Sequence, residues 1–177
     1  MKRLTLIAVA LAAVIAFAGP ASANSVHLKG RNAVVFTDNG LTLTATVSYA
    51  GLGNFDTLQV LNATAQPTAS CTNPAGQTQP PGHNPAQANV SGSTAVPAGD
   101  IKNGNVTITT TTNPPVTPIA GAPECPNTQW TENITDMAFT SATIVLSQNN
   151  AVVLTVSCTF NPATANGKVP GSGFVCS

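Results

Sequence analysis

The feature that most constrains the fold is the two-residue period of apolar side chains between Leu41 and Tyr49. Five alternate positions in this stretch are apolar or aromatic, and the four between them are threonine or serine. Successive side chains of an extended strand point to opposite faces, so this pattern predicts a strand that is buried on one face only. After residue 24 no segment shows the 3.6-residue period of an amphipathic helix, and Glu, Lys, Arg and Met are scarce. We therefore expect an all-β chain.

Further strands are expected wherever short apolar runs lie between turn signals rich in Gly, Asn and Asp. They cover 33–37, 58–65 with a bulge between Val60 and Leu61, 89–95, 105–112, 130–135, 142–146 and 152–160. Seven to nine short strands without helices predict an antiparallel sandwich of two sheets, of the immunoglobulin-like Greek-key type. A β-barrel is the alternative architecture.

The two arms of the last hairpin can be phased against each other. A two-residue turn at 149–150 would pair Leu146 with Val153 and set the two apolar faces out of step. A three-residue loop at 148–150 pairs Leu146 with Val152 instead, which aligns the faces. We therefore predict the three-residue loop.

The amino terminus has the three-part pattern of an export signal. A basic Met-Lys-Arg start precedes the apolar run 4–18, and Ala-Ser-Ala at 21–23 is a small-residue cleavage site. The apolar run is shorter than the roughly 20 residues that a membrane span needs. We expect residues 1–23 to be removed as a signal peptide and 24–177 to form one β-sandwich domain. The product is expected to be secreted or extracellular, with no membrane span after cleavage.

Four cysteines, an even number, follow the export signal, so two disulfides are expected in an oxidising compartment. The sequence permits three pairings. We favour Cys71 with Cys125, because a Pro- and Gly-rich connection lies beside each of them. We favour Cys158 with Cys176, because this bond would pin the tail 161–177, whose apolar content is low.

Charge and cysteine spacing exclude several classes of function. Six basic and six acidic residues make up only 7% of the chain, and signal removal takes away two of the cations. Nucleic-acid binding needs clustered cations, so we expect none. The cysteines form no C-x-x-C pair and the histidines are only His27 and His83. Neither a metal site nor a cofactor is therefore expected.

Catalytic motifs are weak. No Gly-x-Ser-x-Gly elbow is present, and a Ser-His-Asp triad would have to use one of the two histidines. Glu132 and Asp136 are four residues apart and would share one face of a regular strand. A secreted glycoside hydrolase using that carboxylate pair is the alternative reading. We favour a protein that is not an enzyme, and we assign no catalytic residue.

Two residues are candidates for ligand binding. Trp130 is the only tryptophan and follows a Pro- and Cys-containing loop, so it could offer a stacking platform, although packing in or near the core is the commoner fate. His83 lies in the Pro- and Gly-rich loop 80–85, where a solvated role is the commoner one. Tyr49 shares the apolar face of its strand and is expected to be buried. The threonine rows at 42–46 and 107–111 are expected to face solvent.

Three segments resemble small exported bacterial proteins of no assigned activity that have an immunoglobulin-like β-sandwich style. They are Phe-Thr-Asp-Asn-Gly-Leu-Thr at 36–42, Ile-Lys-Asn-Gly-Asn-Val-Thr at 101–107 and Phe-Thr-Ser-Ala-Thr-Ile at 139–144. The resemblance implies export and a sandwich fold, and it brings no catalytic or ligand residues. Our leading hypothesis is a secreted or cell-surface binding or structural module, whose partner is a component of the cell envelope or matrix.

Overall fold

The computed structural model describes residues 26–177, and the predicted signal peptide 1–23 lies outside them. Strands account for 56% of the structure and helical turns for only 4%, which confirms the all-β prediction. Its strands are β1 His27–Leu28, β2 Val34–Asp38, β3 Leu43–Ala50, β4 Thr57–Thr72, β5 Thr78–Gln79, β6 Ala88–Val96, β7 Val106–Thr111, β8 Ile119–Ala120, β9 Thr131–Gln148, β10 Ala151–Phe160, β11 Gly167–Lys168 and β12 Phe174–Cys176. Two short 3-10 turns lie at Ala98–Asp100 and Gly171–Gly173. Across 26–177 no helix has the length and apolar character that a membrane crossing requires.

The strands form two antiparallel sheets. In the first sheet β3 lies between β2 and β7, and β1 and β11 extend its margins. In the second sheet the order is β6, β4, β9 and β10, extended by β5, β8 and β12. The chain crosses from one sheet to the other after β3, β6, β7, β10 and β11. The crossings that involve the longer strands β3, β4, β6, β7 and β9 give a Greek-key order. The predicted sandwich is confirmed, and the barrel alternative is wrong because the two sheets do not close within 26–177.

The core lies between the inner faces of the two sheets. The alternation predicted for β3 is present, since Leu43, Ala45, Val47 and Tyr49 are all fully buried. The second sheet supplies the facing side chains from β4 and β9, which run for 16 and 18 residues. Large buried members of this core are Phe36, Leu43, Tyr49, Leu61, Ile108, Met137, Phe139, Ile144 and Leu146.

The bulge predicted between Val60 and Leu61 is wrong. The pairing of β4 with both neighbours is continuous through these two residues. The apparent break in alternation comes from Gln59, a polar side chain that occupies a core position and is fully buried. Its Oε1 accepts the Tyr49 hydroxyl at 2.6 Å, and its Nε2 donates to Thr110 Oγ1 at 2.9 Å. Hydrogen bonding of the amide therefore replaces the apolar side chain that the pattern requires.

The segments predicted separately at 130–135 and 142–146 belong to the single strand β9. Its register against β4 shifts twice, opposite Thr64/Ala65 and Thr68/Ala69. The extra residues on the β9 side of these bulges are Thr140 and Thr135. Each bulge resets which sequence positions face the core, so a strand of this length shows no single two-residue period.

The predicted loop of the last hairpin is also wrong. The connection is a two-residue turn at 149–150, where both asparagines have left-handed φ angles of 49° and 61°. A register shift at Val153 then places Leu154 opposite Leu146. The apolar faces are aligned by a bulge inside the second arm, and not by an odd-numbered loop.

Both predicted disulfides are present, Cys71–Cys125 and Cys158–Cys176. The second bond joins β10 to β12 and ties down the tail, as expected. The tail also has apolar anchors of its own, because the Phe174 ring packs edge-on against Phe36 at a centroid distance of 5.1 Å, and Val169 is buried. Two disulfides are typical of a protein that folds outside the cytoplasm.

Candidate functional site

Trp130 lies at one end of the second sheet, beside the disulfide Cys71–Cys125. It is partly buried and packs against a small separate cluster formed by this disulfide and Ala122. The backbone N–H of Trp130 donates to the Asn127 carbonyl at 3.1 Å. The indole therefore covers a disulfide, and only part of its surface faces solvent.

His83 lies at the same end of the second sheet, on the loop between β5 and β6, and its side chain is 77% exposed. Its Nε2 is 3.7 Å from Glu124 Oε1, and the neighbouring Gly82 N–H donates to the Glu124 carbonyl at 2.9 Å. His83 lines a shallow depression of about 530 Å³ whose walls do not include Trp130. The two candidate binding residues therefore flank one disulfide but do not line one cavity.

Glu132 is the most unusual ionisable residue at this end. It is opposite Cys71 in the sheet register, and only 1% of it is exposed. Its Oε1 has no hydrogen-bond partner. Burial raises the pKa of Glu132 and the negative charge of Glu124 raises it further, whereas His83 lowers it. The protonated form of Glu132 therefore persists to a higher pH than that of an ordinary glutamate.

Asp136 does not share a face with Glu132, so that part of the prediction is wrong. The bulge at Thr135 places Asp136 opposite the exposed Thr68, out of step with Glu132. The negative charge of Asp136 instead raises the pKa of a different carboxyl group, that of Asp38. Because the two carboxyl groups stand in separate surroundings, they do not form the facing pair that glycoside hydrolysis uses.

Asp38 is buried at the turn between β2 and β3. Its carboxylate accepts the Gly40 N–H at 2.9 Å and the Thr164 hydroxyl. Burial is the largest cause that raises the pKa of Asp38, and the charge of Asp136 adds to it, while the two hydrogen bonds oppose the rise. The aspartate at this turn thus also anchors the tail through Thr164.

A concave site lies at the opposite end of the second sheet, roughly 50 Å away along β4. It is a groove of about 940 Å³ between the connection that precedes β4, the start of the 3-10 turn after β6 and the β9–β10 turn. Phe55, 52% exposed, and Leu58, 40% exposed, lie within it. We call it the Phe55 groove, and its lining is Asn54, Phe55, Asp56, Thr57, Leu58, Ala95, Val96, Pro97, Ala98, Ser147, Asn149 and Asn150.

Hydrogen bonds from the side chain of Gln148, a buried residue at the end of β9, fix the loop that carries Phe55. Gln148 Nε2 donates to the Gly53 carbonyl at 3.1 Å and to Thr57 Oγ1 at 2.9 Å, and its Oε1 accepts the Gly53 N–H at 3.1 Å. The Phe55 carbonyl accepts the Thr57 hydroxyl at 3.1 Å. The backbone on both sides of Phe55 is therefore fixed while its ring faces solvent.

The Phe55 groove carries almost no charge. Its lining contains no Lys, Arg or His, and its one carboxylate is Asp56. Asp56 Oδ1 already accepts the Ala98 N–H at 2.9 Å, which joins two walls of the groove. The remaining polar side chains are three amides and two hydroxyls, which donate and accept hydrogen bonds without charge.

The outer face of the first sheet is a second exposed polar surface. Its hydroxyls pair across β3 and β7, with Oγ to Oγ distances of 2.8 Å for Thr44–Thr111 and 3.0 Å for Thr46–Thr109. The expectation that threonines face solvent is confirmed for these four. Thr110 is the exception, because its side chain is buried and accepts from Gln59. These hydroxyls already bond to one another, so we place the candidate site at the Phe55 groove.

Sequence patterns do not single out Phe55, because it lies in the Gly- and Asn-rich connection 51–56, whose composition indicates only a linker between strands. A large aromatic residue among turn formers was the available signal. The partner that fixes it, Gln148, is 93 positions away in sequence. That distance is why no local pattern indicated the site.

No family model matches the chain, and no curated protein or solved structure shows significant similarity to it.

Proposed function

We propose that this protein is a non-enzymatic β-sandwich module that acts outside the cell, and that the Phe55 groove binds a component of the cell envelope or matrix. The observation that carries the proposal is an exposed aromatic ring on a loop fixed by the buried Gln148. The two disulfides support a location outside the cytoplasm.

Energetic reasoning supports the same site. An exposed phenylalanine leaves a large apolar area in water, and burying that area against a partner is favourable by about 25 cal/mol per Å². Binding normally loses part of such a gain by ordering loops and side chains. Here the hydrogen bonds of Gln148 and Thr57 order the loop before a partner arrives. The groove also lies among loops at one end of the sandwich, where immunoglobulin-like domains often carry binding loops.

A secreted glycoside hydrolase has less support. Glu132 is inside the protein and Asp136 is out of register with it. A hydrolysis screen on sugar polymers with Glu132→Gln and Asp136→Asn tests this alternative. Activity that either substitution abolishes would replace the binding proposal with the enzymatic one.

The proposal predicts that the mature protein sediments with an insoluble cell-envelope fraction through Phe55. We expect Phe55→Ala to weaken co-sedimentation at least tenfold, because it removes the exposed ring without touching the hydrogen bonds beneath it. Val116→Ala is the matched control, since Val116 is 87% exposed and lies outside the groove.

The opposite pattern would contradict the proposal. If Phe55→Ala sediments like the unmodified protein while Trp130→Phe or His83→Ala does not, the binding site lies at the disulfide end.

A further inference from the structure

The Phe55 groove has one apolar side and one polar side. Phe55 and Leu58 present exposed apolar surface, and Pro97 lies on the neighbouring wall. Asn149 and Asn150 are exposed at the β9–β10 turn, which forms another wall. A ligand that fits must therefore have a C–H surface for the ring and hydrogen-bonding groups for the amides.

Charge narrows the class of ligand further. The lining contains no cation to attract a phosphate, sulfate or carboxylate, and the carboxylate of Asp56 is engaged by the Ala98 N–H. A strongly anionic ligand would meet a negative charge with no compensating positive one. A cationic ligand would find only one carboxylate, already hydrogen-bonded. The complementary ligand is neutral.

The floor of the groove also disfavours an extended peptide. Leu58 of β4 is paired on both sides, with Ala95 and with Ser147, and Ser147 of β9 is paired with Val152 as well. The backbone hydrogen bonds of the floor are therefore used within the sheet. A peptide that binds by strand addition needs a free sheet edge, and the floor offers none. The edge strand that reaches the groove is β6, and it ends there at Val96 before Pro97, which has no backbone N–H to donate.

We propose that the Phe55 groove binds a neutral glycan. This inference rests on the proposed function and names its ligand class. One pyranose ring lies with its C–H face against Phe55, because the face of an aromatic ring is electronegative and attracts the slightly positive C–H groups. The sugar hydroxyls exchange hydrogen bonds with the side-chain amides of Asn149 and Asn150, each of which both donates and accepts.

The test is affinity electrophoresis of the disulfide-bonded mature protein in gels that contain soluble neutral glucan, xylan or galactomannan, with polygalacturonate as the anionic comparison. We expect retardation by at least one neutral polymer and none by polygalacturonate. The retardation should persist in 0.5 M salt, on the order of 3 to 4 times the physiological ionic strength, because no ion pair contributes to it.

Two kinds of variant separate binding from folding. Phe55→Ala should weaken retardation at least tenfold, whereas Phe55→Tyr keeps a ring and should retain it. Asn149→Gly and Asn150→Gly remove one amide each while suiting the left-handed φ of the turn. We expect both glycine variants to keep their thermal stability and to bind several-fold more weakly.

Each outcome bears on the inference. Retardation by no neutral polymer, or retardation that salt abolishes, would overturn the glycan assignment. If envelope co-sedimentation still depends on Phe55 in that case, the groove is a binding site for another ligand, such as a protein, and the proposed function stands. If neither assay depends on Phe55, both proposals fail.

Discussion

Three buried polar side chains differ in how their hydrogen-bonding groups are used. Gln59 connects Tyr49 to Thr110 across the core, and Gln148 fixes the loop of Phe55. Each amide thus offsets its own desolvation with hydrogen bonds. Glu132 is equally buried but has an oxygen without a partner. At the scale of single residues, the two glutamines stabilise the structure, and Glu132 makes its stability depend on pH.

The raised pKa of Glu132 has a defined consequence for stability. Because the folded state binds this proton more tightly than the unfolded state, the free energy of unfolding falls as pH rises from the ordinary glutamate value, about 4.3, through the folded value. We expect Glu132→Gln to raise the free energy of unfolding by about 1 to 3 kcal/mol at pH 8 and by less at pH 5, because more of the buried carboxyl group is ionised at the higher pH. Urea unfolding at the two pH values measures this.

Asp100→Asn is the control for that measurement, because Asp100 is exposed. The raised pKa of Asp38 acts in the same direction, so part of the pH dependence will remain in Glu132→Gln. If Glu132→Gln and Asp100→Asn show the same difference in stability between pH 5 and pH 8, the explanation based on Glu132 is wrong.

At the scale of strands, prediction was good where one period was unbroken and poor where bulges or buried polar groups interrupted it. The strand at β3 follows directly from the alternation up to Tyr49. The length of β9 could not be predicted, because the bulges at Thr135 and Thr140 depend on the partner strand. The bulge at Val153 has no local sequence signal either. The polar residue Gln59 at a core position breaks the apolar alternation of β4 as a bulge would, although the strand is regular there.

A close contact between the two sheets depends on Gly92 of β6. A Cβ at this position would lie 2.0 Å from the Thr111 carbonyl oxygen and 2.8 Å from the Thr112 Cα. Backbone cannot move aside as a side-chain tip can, so we expect Gly92→Ala to lower the free energy of unfolding by about 3 kcal/mol. Chemical denaturation of the purified variant gives the value.

Gly99→Ala provides the comparison, since a Cβ there meets nothing within 4 Å. Equal stabilities of the two variants would mean that the backbone of β6 at Gly92 is not in close contact with the backbone at the end of β7.

At the scale of the whole molecule, two disulfides supplement a threonine-rich sandwich with few charged residues. The bond Cys71–Cys125 closes a separation of 54 residues, and Cys158–Cys176 closes one of 18. Cysteine count and loop composition were enough to predict both pairings. The Phe55 groove could not be predicted in this way, because its walls come from three connections that only the Greek-key order brings to one end.

The two disulfides should differ in their contribution to stability. In the chain-entropy account, replacing both cysteines of a bond by serine lowers the free energy of unfolding by about 4 kcal/mol for Cys71–Cys125 and about 3 kcal/mol for Cys158–Cys176. Guanidinium unfolding of the two double variants, beside a thiol assay on the unmodified protein, measures both values. Free thiols in the purified unmodified protein, or no loss of stability in either variant, would contradict the two-disulfide structure.

The central claim is that ligand binding takes place at the Phe55 groove and not at the end that carries Trp130 and His83. Amide hydrogen exchange of residues 24–177, with and without the envelope fraction that the proposed function predicts as ligand, tests this most directly. We predict slower exchange on binding at 54–58, 95–98 and 147–150, with little change elsewhere. Slower exchange confined to 78–84 and 119–130 would contradict the claim.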